Sequence, residues 1–257
     1  MAYEKRSVQT LEGKMTVHIV TPEGLEVNEL HRPTPALVVL QEAFGVNHHI
    51  LNVCKKLADH GIIALAPELF HRAGDGINIE YTQFDKARPI LAELTNERII
   101  DDVHNTVALA RGLPSVNTEK IGTIGFCMGG FAAVLASCHI PDLASVTSFY
   151  GGGMLEPRPG FGFKPFTTQF KSIRCPLFLG FGAEDQTIPS LHVEQIRDQM
   201  KAAGVRAKIT VYPESNHGFL CDERSAYNPK TSQIAWNDIF NWLKECDMLT
   251  PYENQPN

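Results

Sequence analysis

The chain has 257 residues, 43% of them hydrophobic, and a formal charge of −6 at pH 7, enough material for the buried core of one α/β domain. No Lys/Arg cluster could neutralise a run of phosphates, which argues against nucleic acid as a partner, and no apolar run reaches membrane-spanning length. The six cysteines, at 54, 127, 138, 175, 221 and 246, show neither CxxC nor zinc-type spacing, so neither a metal nor another cofactor is expected.

The start, Met1-Ala2-Tyr3-Glu4-Lys5-Arg6, leads into alternating residues rather than an apolar leader, and a cytoplasmic protein with reduced thiols is expected. Residues 15 to 21 alternate weakly and stop at Pro22-Glu23-Gly24, a strand and turn. Pro35 to Leu40 is a continuous apolar run, as in a strand covered on both faces, and it ends in Gln41-Glu42-Ala43-Phe44-Gly45. Asn47 can cap a helix running through Ile50, Val53 and Leu57 to Gly61, and Ile62 to Ala66 is a second buried strand closed by Pro67. Residues 80 to 94 are weakly helical around Pro89. Residues 99 to 111 carry apolar residues at helical spacing before the stop signals Gly112 and Pro114.

The segment from Ile121 to Ala133 reads as strand, sharp turn and helix. Its Gly125-Phe126-Cys127-Met128-Gly129 resembles the nucleophile elbow, with cysteine where serine is common. A thiol at the first turn of a helix feels the positive end of the macrodipole, which favours the reactive thiolate. Further strands follow at Ala144 to Phe149, Pro176 to Gly180 and Ala207 to Tyr212, with helices near 189 to 203 and 225 to 243. Between them, 154 to 174 has no clean period and is expected as a long excursion over one sheet edge, in the manner of a lid. Alternating strands and helices predict a mostly parallel sheet with right-handed crossovers and helices on both faces, in a single α/β domain.

In such sheets chemistry sits beyond the carboxyl ends of the strands. Glu42, Cys127, Asp185 and His217 each follow a different predicted strand, in the order nucleophile, acid, base. His217 is the candidate base, because an imidazole can hold a thiol proton near neutral pH. Asp185 can orient that imidazole, and the adjacent Glu184 could take the same place. Glu42 could hold the thiol proton at rest, since burial favours a neutral carboxyl. The amides of Ala43 and Met128 form the expected oxyanion hole. His48, His49, His71 and His192 are read as solvated surface residues.

Gln41-Glu42-Ala43-Phe44-Gly45-Val46-Asn47, Gly125 to Gly130, Gly182-Ala183-Glu184-Asp185 and Asn216-His217-Gly218-Phe219 together resemble the dienelactone hydrolase family, over about residues 15 to 245. The resemblance implies a single-domain α/β-hydrolase fold with its core at about 15 to 245 and a Cys-His-Asp triad, favours Asp185 over Glu184, pairs Glu42 with the thiol, and implies hydrolysis of a cyclic or activated ester. Family members that act on dienelactone hold its carboxylate with two arginines. Four residues past His217 this chain has Cys221, with Arg224 three further on. In the earlier segment it offers Arg72, Arg88 and Arg98, of which Arg88 is the nearest candidate, with Phe44 and Phe219 as further substrate contacts. Dienelactone itself is therefore not the expected substrate.

The leading expectation is a hydrolase of small lactones or esters, acting as a monomer or small homo-oligomer. Two alternatives are a non-catalytic binding module that uses the Phe-rich 161 to 170 stretch, and a thiol redox protein.

Overall fold

The computed structural model describes residues 1–25 and 33–249. Eight strands form one sheet: β1 (Ala2–Thr10), β2 (Gly13–Thr21), β3 (Thr34–Leu40), β4 (Ile63–Pro67), β5 (Val116–Phe126), β6 (Val146–Phe149), β7 (Leu177–Gly182) and β8 (Ala207–Tyr212). Their spatial order is β1-β2-β4-β3-β5-β6-β7-β8. The pairs from β4 to β8 are all parallel, whereas β2 runs antiparallel to both β1 and β4.

Six helices fill the crossovers: α1 (His48–Asp59), α2 (Phe84–Glu93), α3 (Asn96–Arg111), α4 (Met128–Ser137), α5 (Ser190–Ala202) and α6 (Pro229–Glu245). The chain steps one way along the sheet from β3 through α1 to β4, then back past β3 to reach β5. Right-handed crossovers place α1 and α3 on opposite faces when the direction of travel reverses. α6 joins α1 on its face, where His60 stacks on Phe240 at 3.7 Å and Lys56 sits over Trp236 at 4.6 Å. The reversal lies between β3 and β5. A doubly wound sheet opens a crevice at that point, beyond the strand ends that carry Glu42 and Cys127.

Local signals explain most of the elements. Asn47 caps α1 by accepting from the Ile50 amide, Thr95 caps α3 through Arg98 and Asn228 caps α6 through Thr231, satisfying amides that would otherwise be orphaned. Pro89 falls inside α2, five residues after its first, and the helix is short. β1 is the strand that sequence reading did not place. It carries Glu4, Lys5, Arg6 and Gln9 at the sheet edge with mostly exposed or half-buried side chains, and an edge strand has no need of apolar alternation.

The expectation of a lid at 154 to 174 is corrected. Phe163, Phe166 and Phe170 are buried, and Phe163 and Phe166 pack on Phe131 of α4 with ring centroids at 4.3 and 5.0 Å. The Gly162 amide donates to Leu91 O at 2.8 Å, and Lys164 exchanges hydrogen bonds with the Asn96 side chain. A 3-10 turn, Thr167–Ser172, closes the segment. Burying each phenylalanine contributes about 1.5–3 kcal/mol, so this stretch is a packed wall of the core. The same burial removes these rings from any partner-binding role.

Candidate active site

The elbow is built by contact between backbones. Cys127 has φ 54° and ψ −117°, a conformation that costs a non-glycine residue about 1–3 kcal/mol and persists only when its surroundings enforce it. The enforcement comes from β6, where Phe149 O accepts the Cys127 amide at 3.0 Å, and from α4, whose Gly130 and Phe131 amides donate to Cys127 O at 3.0 and 3.2 Å. A Cβ on Gly125 would stand 2.0 Å from Gly129 O, and one on Gly129 would stand 2.2 Å from Leu40 O. The glycines therefore let the start of α4 rest directly on the ends of β5 and β3. Among the described residues, no hydrogen bond engages the amides of Ala43 or Met128, and both residues are buried.

Asp185 and His217 come together as their positions after β7 and β8 suggested. His217 Nδ1 donates to Asp185 Oδ2 at 2.7 Å. The other carboxylate oxygen of Asp185 accepts from the Thr187 amide at 2.8 Å, the Thr187 hydroxyl at 2.7 Å and the Ile188 amide at 3.2 Å. Asp185 thus closes its own loop and orients the imidazole at once, while Glu184 is exposed. Burial raises the Asp185 pKa, but hydrogen bonding and charge from His217, then the Thr187 bonds, outweigh it and hold the group below the ordinary value.

The Cys127 thiol and the His217 imidazole lie close enough for each to shift the other's protonation. Burial raises the thiol's pKa; His217 lowers it, Glu42 opposes, Arg224 assists, and the net shift is downward. For His217 burial lowers the pKa, but Cys127 and Asp185 together raise it to about 9. The pair therefore favours thiolate and imidazolium.

Glu42 differs from expectation in its partner. Its side chain is fully buried, Oε1 accepts from Arg224 Nη1 at 3.0 Å, and Oε2 has no partner among the described residues. It acts on Cys127 as a nearby charge, with no hydrogen bond between the two side chains. Among the described residues the hydrogen-bond partner of the Glu42 carboxyl is thus Arg224, where the Cys127 thiol was expected.

Arg224 is the residue that spacing concealed. The Cys221 amide donates to Gly218 O at 3.0 Å and the Arg224 amide to Cys221 O at 3.1 Å. Two successive turns fold the loop back and bring Arg224 to Glu42. Gly218, at φ +85°, makes room, because a Cβ there would lie 2.4 Å from the Arg224 guanidinium. That guanidinium stands to one side of the Phe44 and Tyr81 rings, 5.7 and 5.8 Å from their centroids, which are themselves 4.6 Å apart.

Two of the expected contacts are corrected. Arg88 is exposed on α2, donates to Asp85 at 2.9 Å and stacks on Phe84. Phe219 is wholly buried among Phe149, Tyr150 and Tyr212, so it supports the pocket without lining it. His48 and His192 are exposed or half-exposed, as read, whereas His49 and His71 are buried. Tyr150, which carried no sequence signal beyond ending β6, has φ 41°, a buried hydroxyl with no partner among the described residues, and a ring 5.1 Å from that of His217.

Comparison with known proteins agrees with this geometry. Residues 22–247 match the model of the dienelactone hydrolase family. A relative from Synechocystis, named "Putative carboxymethylenebutenolidase", is 36% identical over 238 residues, covering 90% of this chain and 96% of the relative. One of the same name from Yersinia pestis is 31% identical over 83% of this chain and 79% of its own length. The crystal structure of a Klebsiella pneumoniae protein, likewise provisionally described as a dienelactone hydrolase, superposes with a TM-score of 0.83 at 26% identity, covering 95% of this chain and 98% of that one.

Proposed function

The chain belongs to the dienelactone hydrolase family and is a carboxylic ester hydrolase with the α/β-hydrolase fold, and from that premise we propose that Cys127, as a thiolate, opens small lactones or esters that carry a carboxylate. The observation that carries the proposal is the alignment of Cys127, His217 and Asp185, with the thiol pKa lowered and the imidazole pKa raised.

In this reading Cys127 Sγ attacks the carbonyl carbon and the displaced electron pair settles on the carbonyl oxygen. The Ala43 and Met128 amides receive that oxyanion; one such donor stabilises a transition state by about 3–4 kcal/mol. As the intermediate collapses, His217 gives its proton to the departing alkoxide and a thioester remains on Cys127. In a lactone the alkoxide stays on the same molecule. Neutral His217 then takes a proton from water, the hydroxide attacks the thioester, and the acid leaves as the thiolate is restored. Asp185 keeps the tautomer and stabilises the imidazolium throughout.

Arg224 supports the choice of substrate. One of its N–H groups serves Glu42 Oε1, and its other side-chain donors meet no acceptor among the described residues, while the Phe44 and Tyr81 rings lie beside it at 5.7 and 5.8 Å. A held, underused guanidinium fits a substrate carboxylate, which it can grip through charge-assisted bonds. The test compares p-nitrophenyl butyrate with its counterpart bearing a terminal carboxylate, the hemiglutarate. The carboxylate ester should show the lower KM, and Arg224→Gln should erase the difference. Equal KM values in the wild type would remove the carboxylate from the proposal, and full turnover by Cys127→Ala would remove the nucleophile.

A further inference from the structure

A helix residue and two adjacent loop residues, remote from it in sequence, converge at the start of α1. His49 lies near the start of α1, and Cys221 and Asp222 lie on the loop that precedes Arg224. One ligand atom of each lies within 4.8 Å of the others. His49 Nδ1 and Asp222 Oδ1 are 3.6 Å apart, close to the edge of a tetrahedron of ligands at about 2.0–2.3 Å from a central ion. His49 and Cys221 are buried, whereas the Asp222 side chain is 61% exposed, so the group is closed on the protein side and open toward solvent. A pocket of about 110 Å³, lined in part by His49, Asp222, Lys56 and Trp236, adjoins it. His49 Nε2 is buried with no partner among the described residues.

We propose that His49, Cys221 and Asp222 bind a borderline-soft divalent transition-metal ion, zinc being the reference case, with water completing the coordination. Imidazole, thiolate and carboxylate together suit such an ion and not calcium or magnesium, which take oxygen ligands. As the metal–sulfur bond forms, the Cys221 thiol proton passes to solvent, and the sulfur gives up its 3.1 Å hydrogen bond to the Tyr81 hydroxyl. Lys56, whose charge acts on Asp222, competes with the ion for that carboxylate. Cysteine spacing gives no sign of this group, because its ligands come from a helix and a distant loop that only the fold brings together.

Titration of the metal-free full-length protein with cobalt(II) tests the proposal. The wild type should take up one equivalent, with a thiolate-to-cobalt charge-transfer band that zinc abolishes. Cys221→Ser should lose the band while Cys127→Ser keeps it. His49→Gln should weaken binding by about tenfold or more, since even indirect partners of a metal contribute that much. Asp222→Asn, a change at an exposed side chain that leaves the core intact, should also weaken binding while keeping the band at saturation, and Lys56→Gln should tighten it. A band that survives in Cys221→Ser and vanishes in Cys127→Ser would place the ion on the catalytic thiol and overturn the proposal. The absence of any band in the folded wild type would do the same.

Discussion

Cys127 owes its expected reactivity to neighbours that oppose its burial. Burial alone would raise the thiol, and the other cysteines show that effect: Cys54, Cys138, Cys175 and Cys221 are each pushed up to about 12. At Cys127 the His217 charge reverses the sign. The folded thiolate should therefore persist below the thiol's ordinary range, and His217 should keep its proton until the pH rises through about 9. Iodoacetamide alkylation of Cys127 should reach its plateau at a pH below the usual thiol value of about 8.5, and His217→Ala should move that plateau upward. A wild-type profile that titrates as an ordinary thiol would contradict this. Hydrolysis of alkyl esters, which need their leaving group protonated, should fall above about pH 9 as the imidazolium is lost.

Arg224 makes the second prediction at this scale. Removing a charge-assisted contact costs about 1.5–3 kcal/mol, so Arg224→Gln should raise KM for the carboxylate ester by roughly ten- to a hundredfold. The neutral ester should change little, which steady-state kinetics on the pair would show. Tyr150 and Arg224 are also where sequence reading fell short. Neither sits in a recognisable motif, and each reaches the site through backbone geometry, a positive φ in one case and a doubled turn in the other.

At the scale of elements, the elbow is a junction of three strand ends with one helix start, and its glycines are steric requirements. Gly129→Ala would place a methyl 2.2 Å from Leu40 O, against backbone that cannot step aside. We expect a loss of about 3 kcal/mol or more, a fall in Tm of roughly 10 °C for a chain of this size. Gly112→Ala is the control. Its φ is −80° and its nearest contact is at 3.4 Å, so thermal unfolding should move by no more than about 2 °C. Equal shifts in the two variants would contradict the packing assigned to the elbow. Strands inside the sheet, β3 to β7, were readable because burial leaves apolar runs, and β8 by its β-branched residues. β1 was not, because an edge strand in water carries polar residues. The 154 to 174 segment was misread as a lid because its phenylalanines follow no regular period, yet they fill the space beside Phe131.

Across the whole molecule, one reversal of winding between β3 and β5 gathers Glu42, Cys127, Asp185 and His217 at a single edge. The four catalytic-type residues were legible in the sequence because each follows a strand, and strand ends in a parallel sheet lie on one side. Their charge states were not, because these depend on partners such as Arg224 that loops bring in from elsewhere. Among the described residues no helix is long and apolar enough to cross a membrane. The central claim, covalent catalysis by Cys127, is tested most directly by rapid acid quench of the enzyme with a p-nitrophenyl ester, followed by mass spectrometry of its peptides. The expected result is a transient acyl mass on the peptide containing Cys127, formed within the first turnover and absent in Cys127→Ala, whose turnover should fall about ten-thousandfold or more. An acyl group on any other residue, or undiminished turnover without the thiol, would contradict the account.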